Sequence, residues 1–221
     1  MPEAAAPRVV RVGGAGLRAF ALRCLAGIVL LALHGTASAH AASLAPLAAD
    51  AVVLAFGDSL TYGIGSPEMD YPRMLEVQID RRVVNSGDPG ETTGHGRDRL
   101  PGALAEIQPD LMILCLGLND FILGVPAATT RDNLAAMIEA AQGQGVQVVL
   151  LAVPRLRPGM EPEPMYVELG LRYNVPVADE LLPAVLRRPL WKKDGVHPNR
   201  RGYQYIADGL ATLLREAGAI R

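Results

Sequence analysis

The chain alternates between short apolar runs and longer stretches of helical period. Apolar runs at 51–56, 82–85, 111–116, 146–153 and 175–178 are rich in Val, Leu and Ile. Runs of this length and continuity predict strands buried on both faces of a sheet. Between them, Leu100, Leu104 and Ile107 share one helical face, as do Leu134, Met137, Ile138 and Ala141. Ile206, Leu210, Leu213 and Leu214 form a last stripe, opened by Pro198-Asn199 and closed by Gly218. Alternating strand and helix signals imply βαβ units and a parallel sheet covered on both faces. The expected architecture is α/β: a three-layer α/β/α sandwich on a five-stranded parallel sheet of flavodoxin-like type. The Pro-rich segment 154–164 is too short for a linker and reads as a loop at the edge of a site.

The first strand runs into Phe56-Gly57-Asp58-Ser59-Leu60-Thr61. Ligands of open parallel sheets bind outside the carboxyl ends of the strands, so Ser59 falls where chemistry is done. A Gly-Asp-Ser triplet is also an ordinary turn whose Asp or Ser caps the next helix. The inventory narrows the choice. Beyond His40 and Ser43, the chain has only Ser59, Ser66 and Ser86, and only His95 and His197. A histidine-rich metal site is therefore excluded, and a serine nucleophile with a histidine base must be drawn from this short set.

His197 lies in Asp194-Gly195-Val196-His197-Pro198-Asn199. In a turn permitted by Gly195, Asp194 folds back onto the imidazole and leaves its other nitrogen free to accept a serine proton. The alternative is a helix-entry loop with a solvated Asp194. His95, between Gly94 and Gly96, has no close Asp and reads as a loop residue. Two further stretches end the second and third strands: Asn85-Ser86-Gly87-Asp88 and Gly117-Leu118-Asn119-Asp120. A glycine N–H and an Asn side-chain N–H there, with the N–H of Ser59, would suit an oxyanion hole. Simple turn chemistry also explains both.

These stretches, in this order, resemble the blocks of the SGNH (GDSL-type) hydrolases. Gly57-Asp58-Ser59-Leu60 is similar to the nucleophile block and Gly87 to the glycine block. Gly117-x-Asn119-Asp120 is similar to the asparagine block and Asp194-x-x-His197 to the last. The likeness is closest to the small secreted bacterial thioesterase, lysophospholipase and arylesterase type. The resemblance implies Ser59 as nucleophile, His197 as base and Asp194 as its orienter. It implies Ser59, Gly87 and Asn119 as oxyanion donors, with no cofactor. The implied substrate is a small acyl ester, thioester or lysophospholipid. Leu118 stands where close relatives often carry glycine, and 155–174 is shorter than their corresponding segment. A carbohydrate O-deacetylase and a non-catalytic envelope binding protein are the rival readings on the same fold.

Composition adds where the chain goes. Residues 1–39 read as a secretory signal: four Arg, a ten-residue apolar stretch and Ala37-Ser38-Ala39. That stretch falls short of the ~20 residues that span a bilayer, so cleavage before His40 is expected, with no stable membrane insertion. The hydrolase domain is then 40–221, periplasmic or secreted. It carries 17 basic and 22 acidic residues, a net charge of −5. No basic run stands out, so nucleic acid and anionic membrane surfaces are poor partner candidates. Cys24 leaves with the signal, and Cys115 is expected as a small buried residue.

Overall fold

Five strands follow the apolar runs: β1 (Val52–Gly57), β2 (Arg82–Gly87), β3 (Leu111–Cys115), β4 (Gln147–Leu151) and β5 (Val177–Ala178). They form one parallel sheet in the order β2-β1-β3-β4-β5. The computed structural model describes residues 42–156 and 159–221, and the expected signal segment 1–39 and His40 lie outside them. The order is that of flavodoxin-like folds, whose switch point lies between β1 and β3. Their apolar runs are continuous because both faces are covered: Val53 to Phe56 and Leu111 to Cys115 are fully buried. The outer strands differ for the same reason. β2 carries Arg82, Asn85 and Ser86 at one edge, and β5 is only two residues long at the other.

Among the described residues six helices connect the strands, α1 (Ser59–Tyr62), α2 (Tyr71–Ile79), α3 (Thr93–Ile107), α4 (Leu118–Leu123), α5 (Ala127–Gln142) and α6 (Pro164–Tyr173), and two follow β5, α7 (Leu181–Leu186) and α8 (Arg200–Glu216). α2 packs on α8, and α3 on α5, giving the two helical layers of the sandwich. The predicted stripes are the core-facing sides of three helices, with Ile107 and Leu213 only partly buried at their margins. Leu100 and Leu104 face inward from α3, Leu134, Met137, Ile138 and Ala141 from α5, and Ile206, Leu210 and Leu214 from α8.

Two readings are corrected. His95 lies in the first turn of α3, whose N-cap Thr92 accepts from its N–H, and not in a loop. The 154–164 segment is not all loop: Pro154 pairs antiparallel with Pro162, and α6 starts at Pro164, a residue suited to a first helical turn. α2 is an element the periodicity did not single out. Asp70 caps it by accepting from the Arg73 N–H, and Tyr71, Met74, Leu75 and Ile79 are its buried face. Among the described residues, no helix is long and apolar enough to cross a membrane.

Candidate active site

β1 delivers Ser59 to the carboxyl edge of the sheet. Asp58 caps the short α1 through its Oδ1, which accepts from the Leu60 N–H at 2.9 Å. Ser59 is therefore the first residue of that helix, with an N–H that has no partner inside it. The other half of the site comes from the segment before α8. Asp194 Oδ1 accepts from the N–H groups of Val196 and His197, both at 2.9 Å. Its Oδ2 meets His197 Nδ1 at 2.8 Å. His197 Nε2 then lies 3.0 Å from Ser59 Oγ. The expected fold-back of Asp194 is present, but its side chain closes the turn, and Gly195 does not enter the left-handed region.

The loop is braced on both sides. Lys193 N–H donates to His197 O at 2.8 Å, and Asn199 N–H donates to Trp191 O at 2.9 Å. Asn199 also caps α8 through its side-chain oxygen. The two N–H donors on Asp194, aided by His197, hold its carboxyl low, at a pKa of about 2. It is an anion at any pH where the imidazole can work.

The asparagine reaches the same place from β3. Asn119, in the first turn of α4, donates from Nδ2 to Glu91 O at 2.9 Å and to Asp58 Oδ2 at 3.1 Å. Behind it stand three buried carboxyl groups, Asp58, Glu91 and Asp120. Each has partners. Arg99 grips both Glu91 oxygens at 2.7 Å, reaches Ser86 Oγ at 2.7 Å and Ser86 O at 3.1 Å, and lies over the Phe56 ring. Asp120 accepts from the Thr93 N–H at 2.8 Å and from the Thr93 and Thr130 hydroxyls. Asp58 has no cation partner among the described residues, and burial pushes its pKa up to about 7, against the pull of the Leu60 N–H; Glu91 and Asp120 add to the rise. This network was not legible in the order of residues, because each acid or its partner lies in a different block.

Gly87 is where the geometry departs from the expectation. It ends β2 as expected, but its N–H donates to Asn85 Oδ1 at 3.0 Å. Its missing side chain serves packing: a Cβ would stand 2.1 Å from the Tyr62 nitrogen, so glycine lets α1 close onto β2. Three residues on, Gly90 has φ +86°, open space where a Cβ would be, and an N–H with no acceptor among the described residues. It immediately precedes Glu91, the residue whose carbonyl holds Asn119. A Gly-rich turn after the second strand was legible; that Asn85 occupies the Gly87 N–H was not. Ser86 is committed to Arg99, and Cys115 is fully buried with its thiol pKa raised by that burial.

A serine hydroxyl, an imidazole and a carboxylate in this hydrogen-bonded line can transfer a proton away from an attacking oxygen. Comparison with known proteins places the chain in a family. The chain is 31% identical over 175 residues to an arylesterase of Vibrio mimicus, covering 73% of this chain and 87% of that one. It is 30% identical over 178 residues to thioesterase 1/protease 1/lysophospholipase L1 of Escherichia coli K12, covering 76% and 85%. The crystal structure of TesA superposes with a TM-score of 0.69 at 27% identity, over 75% of this chain and 99% of that one. The model of the GDSL-like lipase/acylhydrolase family matches residues 55–205, and the chain belongs to that family.

Proposed function

We propose that this hydrolase is a serine esterase acting on carboxylic esters and acyl thioesters through an acyl-enzyme. The observation that carries the proposal is the unbroken line Ser59 Oγ–His197–Asp194, with contacts of 3.0 Å and 2.8 Å. Ser59 Oγ attacks the acyl carbonyl while His197 Nε2 takes its proton. Asp194 accepts from Nδ1–H and stabilises the imidazolium. The tetrahedral intermediate collapses, and His197 returns the proton to the leaving alcohol or thiol. Water repeats the sequence on the acyl-enzyme and releases the acid.

The developing oxyanion needs preorganised donors. The Ser59 N–H and Asn119 Nδ2 supply two. One Asn119 hydrogen is committed to Glu91 O; the other, directed at Asp58 Oδ2 from 3.1 Å, is the one an oxyanion would share. For the third donor we assign the Gly90 N–H rather than that of Gly87, which Asn85 occupies. An apolar acyl chain is favoured by Ile122, Leu123 and Leu156, all well exposed. Ile122, Leu156, Phe121 and Arg155 line a cavity of about 400 Å³, its α4 residues following Asn119 in sequence. The names of the relatives point the same way, to aryl esters, thioesters and lysophospholipids as substrates. Export to the periplasm or medium with a start near His40 completes the reading, on the strength of 1–39.

Labelling with an organophosphonate, followed by peptide mass spectrometry, tests the nucleophile. Covalent phosphonate is expected on Ser59 and on no residue of a Ser59→Ala variant. An unlabelled but folded wild type would refute catalysis and favour a binding protein. Hydrolysis across p-nitrophenyl esters sets the class: a strict preference for acetyl would turn the assignment to an O-deacetylase.

A further inference from the structure

We propose that the corner formed by residues 187–201 is a docking surface for an anionic phospholipid bilayer, and that it turns the mouth of the active site toward the lipid. Averaged over the chain, charge argues against such a partner; the distribution reverses that. Residues 187–201 hold Arg187, Arg188, Lys192, Lys193, Arg200 and Arg201 against the single acid Asp194. The rest of 40–221 carries 11 basic and 21 acidic residues, a net charge of −10 beside a segment of net +5. The cations come as three pairs, and folding gathers them. Arg188 and Arg201 lie over the Trp191 ring at 4.4 Å and 5.2 Å, and Lys192 bridges to Pro198.

These charges are largely uncompensated. Asp194 is committed to His197, and Glu180 to Arg187. Asp208, beside Arg200 and Arg201, accepts from Gln78 and Gln204 instead. Among the described residues, Arg188, Lys192, Lys193, Arg200 and Arg201 have no ion-pair partner. Arg200 and Arg201 open α8, where the helix dipole is already positive, so they are badly placed for helix stability and well placed to attract an anion.

Apolar groups sit among the cations. Leu190 is 84% exposed, on a 3-10 turn (Pro189–Trp191) that buries no residue. Trp191, next in sequence, packs against Tyr205 in a tilted pair with ring centroids 5.0 Å apart. An exposed Leu with aromatic rings and a ring of cations matches a headgroup layer, where apolar groups enter and cations meet phosphates. An acidic protein would satisfy the charges and leave Leu190 without a counterpart. The same segment contains His197, so docking would present Ser59 to molecules lying in the lipid surface. That last consequence rests on the esterase reading; the docking does not.

Co-sedimentation of the protein with vesicles tests it, comparing phosphatidylcholine alone with about 30 mol % phosphatidylglycerol at about 0.1 M salt. Binding to the anionic vesicles only, weakened by higher salt, is expected. Each cation near such a surface contributes roughly fivefold to partitioning, so Arg200→Glu/Arg201→Glu should lose at least about tenfold. That variant gains a favourable first turn and should keep its melting temperature. Leu190→Asp should weaken binding independently. Both variants should hydrolyse a water-soluble p-nitrophenyl ester at the wild-type rate, which separates lost docking from a damaged site. Equal binding to neutral vesicles, no vesicle binding, or unchanged binding by the double variant would overturn the proposal. Polyglutamate binding without vesicle binding would overturn it in favour of an acidic protein partner.

Discussion

Replacing Asn119 by Ala tests the site and its support together. The substitution removes the bonds to Glu91 O and to Asp58 Oδ2. A neutral hydrogen bond contributes about 1 kcal/mol and one to a charged group about 1.5–3, so the fold should lose about 2.5–4 kcal/mol. At roughly 2–4 °C per kcal/mol for a domain of this size, the melting temperature should fall by roughly 5–15 °C. Catalysis should fall separately. An oxyanion donor contributes about 2.7–4 kcal/mol to the transition state, or roughly 10²–10³ in kcat. Stability loss lowers the number of competent molecules, whereas loss of a donor lowers the turnover of each. Phosphonate titration counts competent Ser59 hydroxyls, and kcat per titrated site then isolates the donor. KM should change little, because the contact strengthens only as the carbonyl oxygen gains charge. A folded variant that keeps kcat per titrated site within about tenfold of wild type would refute the donor role.

Three further outcomes follow from the same region. Asp58 has a folded pKa of about 7 against 3.8 unfolded, so its contribution is fully present below pH 3.8 and is lost as pH rises through 7. The stability of wild type minus that of Asp58→Asn, from urea denaturation, should therefore decline between about pH 4 and 7; a constant difference would contradict the assignment. Asp194 has the opposite sign: its contribution is lost only as pH falls through about 2. An acid limb of kcat/KM between about pH 5 and 8 then has two candidate sources, Asp58 and the imidazole; a limb that persists in Asp58→Asn belongs to His197, and a flat profile in that variant would remove His197 as base. Arg99→Met should leave Glu91 buried and unpaired, costing about 3–5 kcal/mol. If Glu91 positions Asn119, Arg99→Lys should restore part of kcat at unchanged KM; restored stability with no gain in kcat would make the pair purely structural.

What the sequence could show was whatever is local. The strand cores were visible because burial on both faces leaves continuous apolar runs, and α3, α5 and α8 because their stripes are long. α2 had the spacing, from Tyr71 to Ile79, but its nine residues give only two turns of signal. The Asp194–His197 pairing is a contact across three residues and could be read as a turn. Arg99 with Glu91, or Asn119 with Asp58, joins separate blocks across the fold. Acidic residues are ordinarily solvated, so nothing in the order of residues marks Asp58, Glu91 and Asp120 as buried. That the Gly87 N–H is occupied was hidden for a related reason: it depends on where Asn85 sends its side-chain oxygen.

Cys115 has a use unrelated to catalysis. It ends the central strand β3, paired in register with Gly57, and its sulfur is sealed from water on every side. A thiol reagent can reach it only when the middle of the sheet opens. In a chain with Cys24 replaced by Ser, the rate of reaction with a disulfide dye becomes a clock for that opening. The strand it reports on abuts the one that carries Ser59. A single native thiol thus gives a readout, without added label, of how often the floor beneath the nucleophile comes apart.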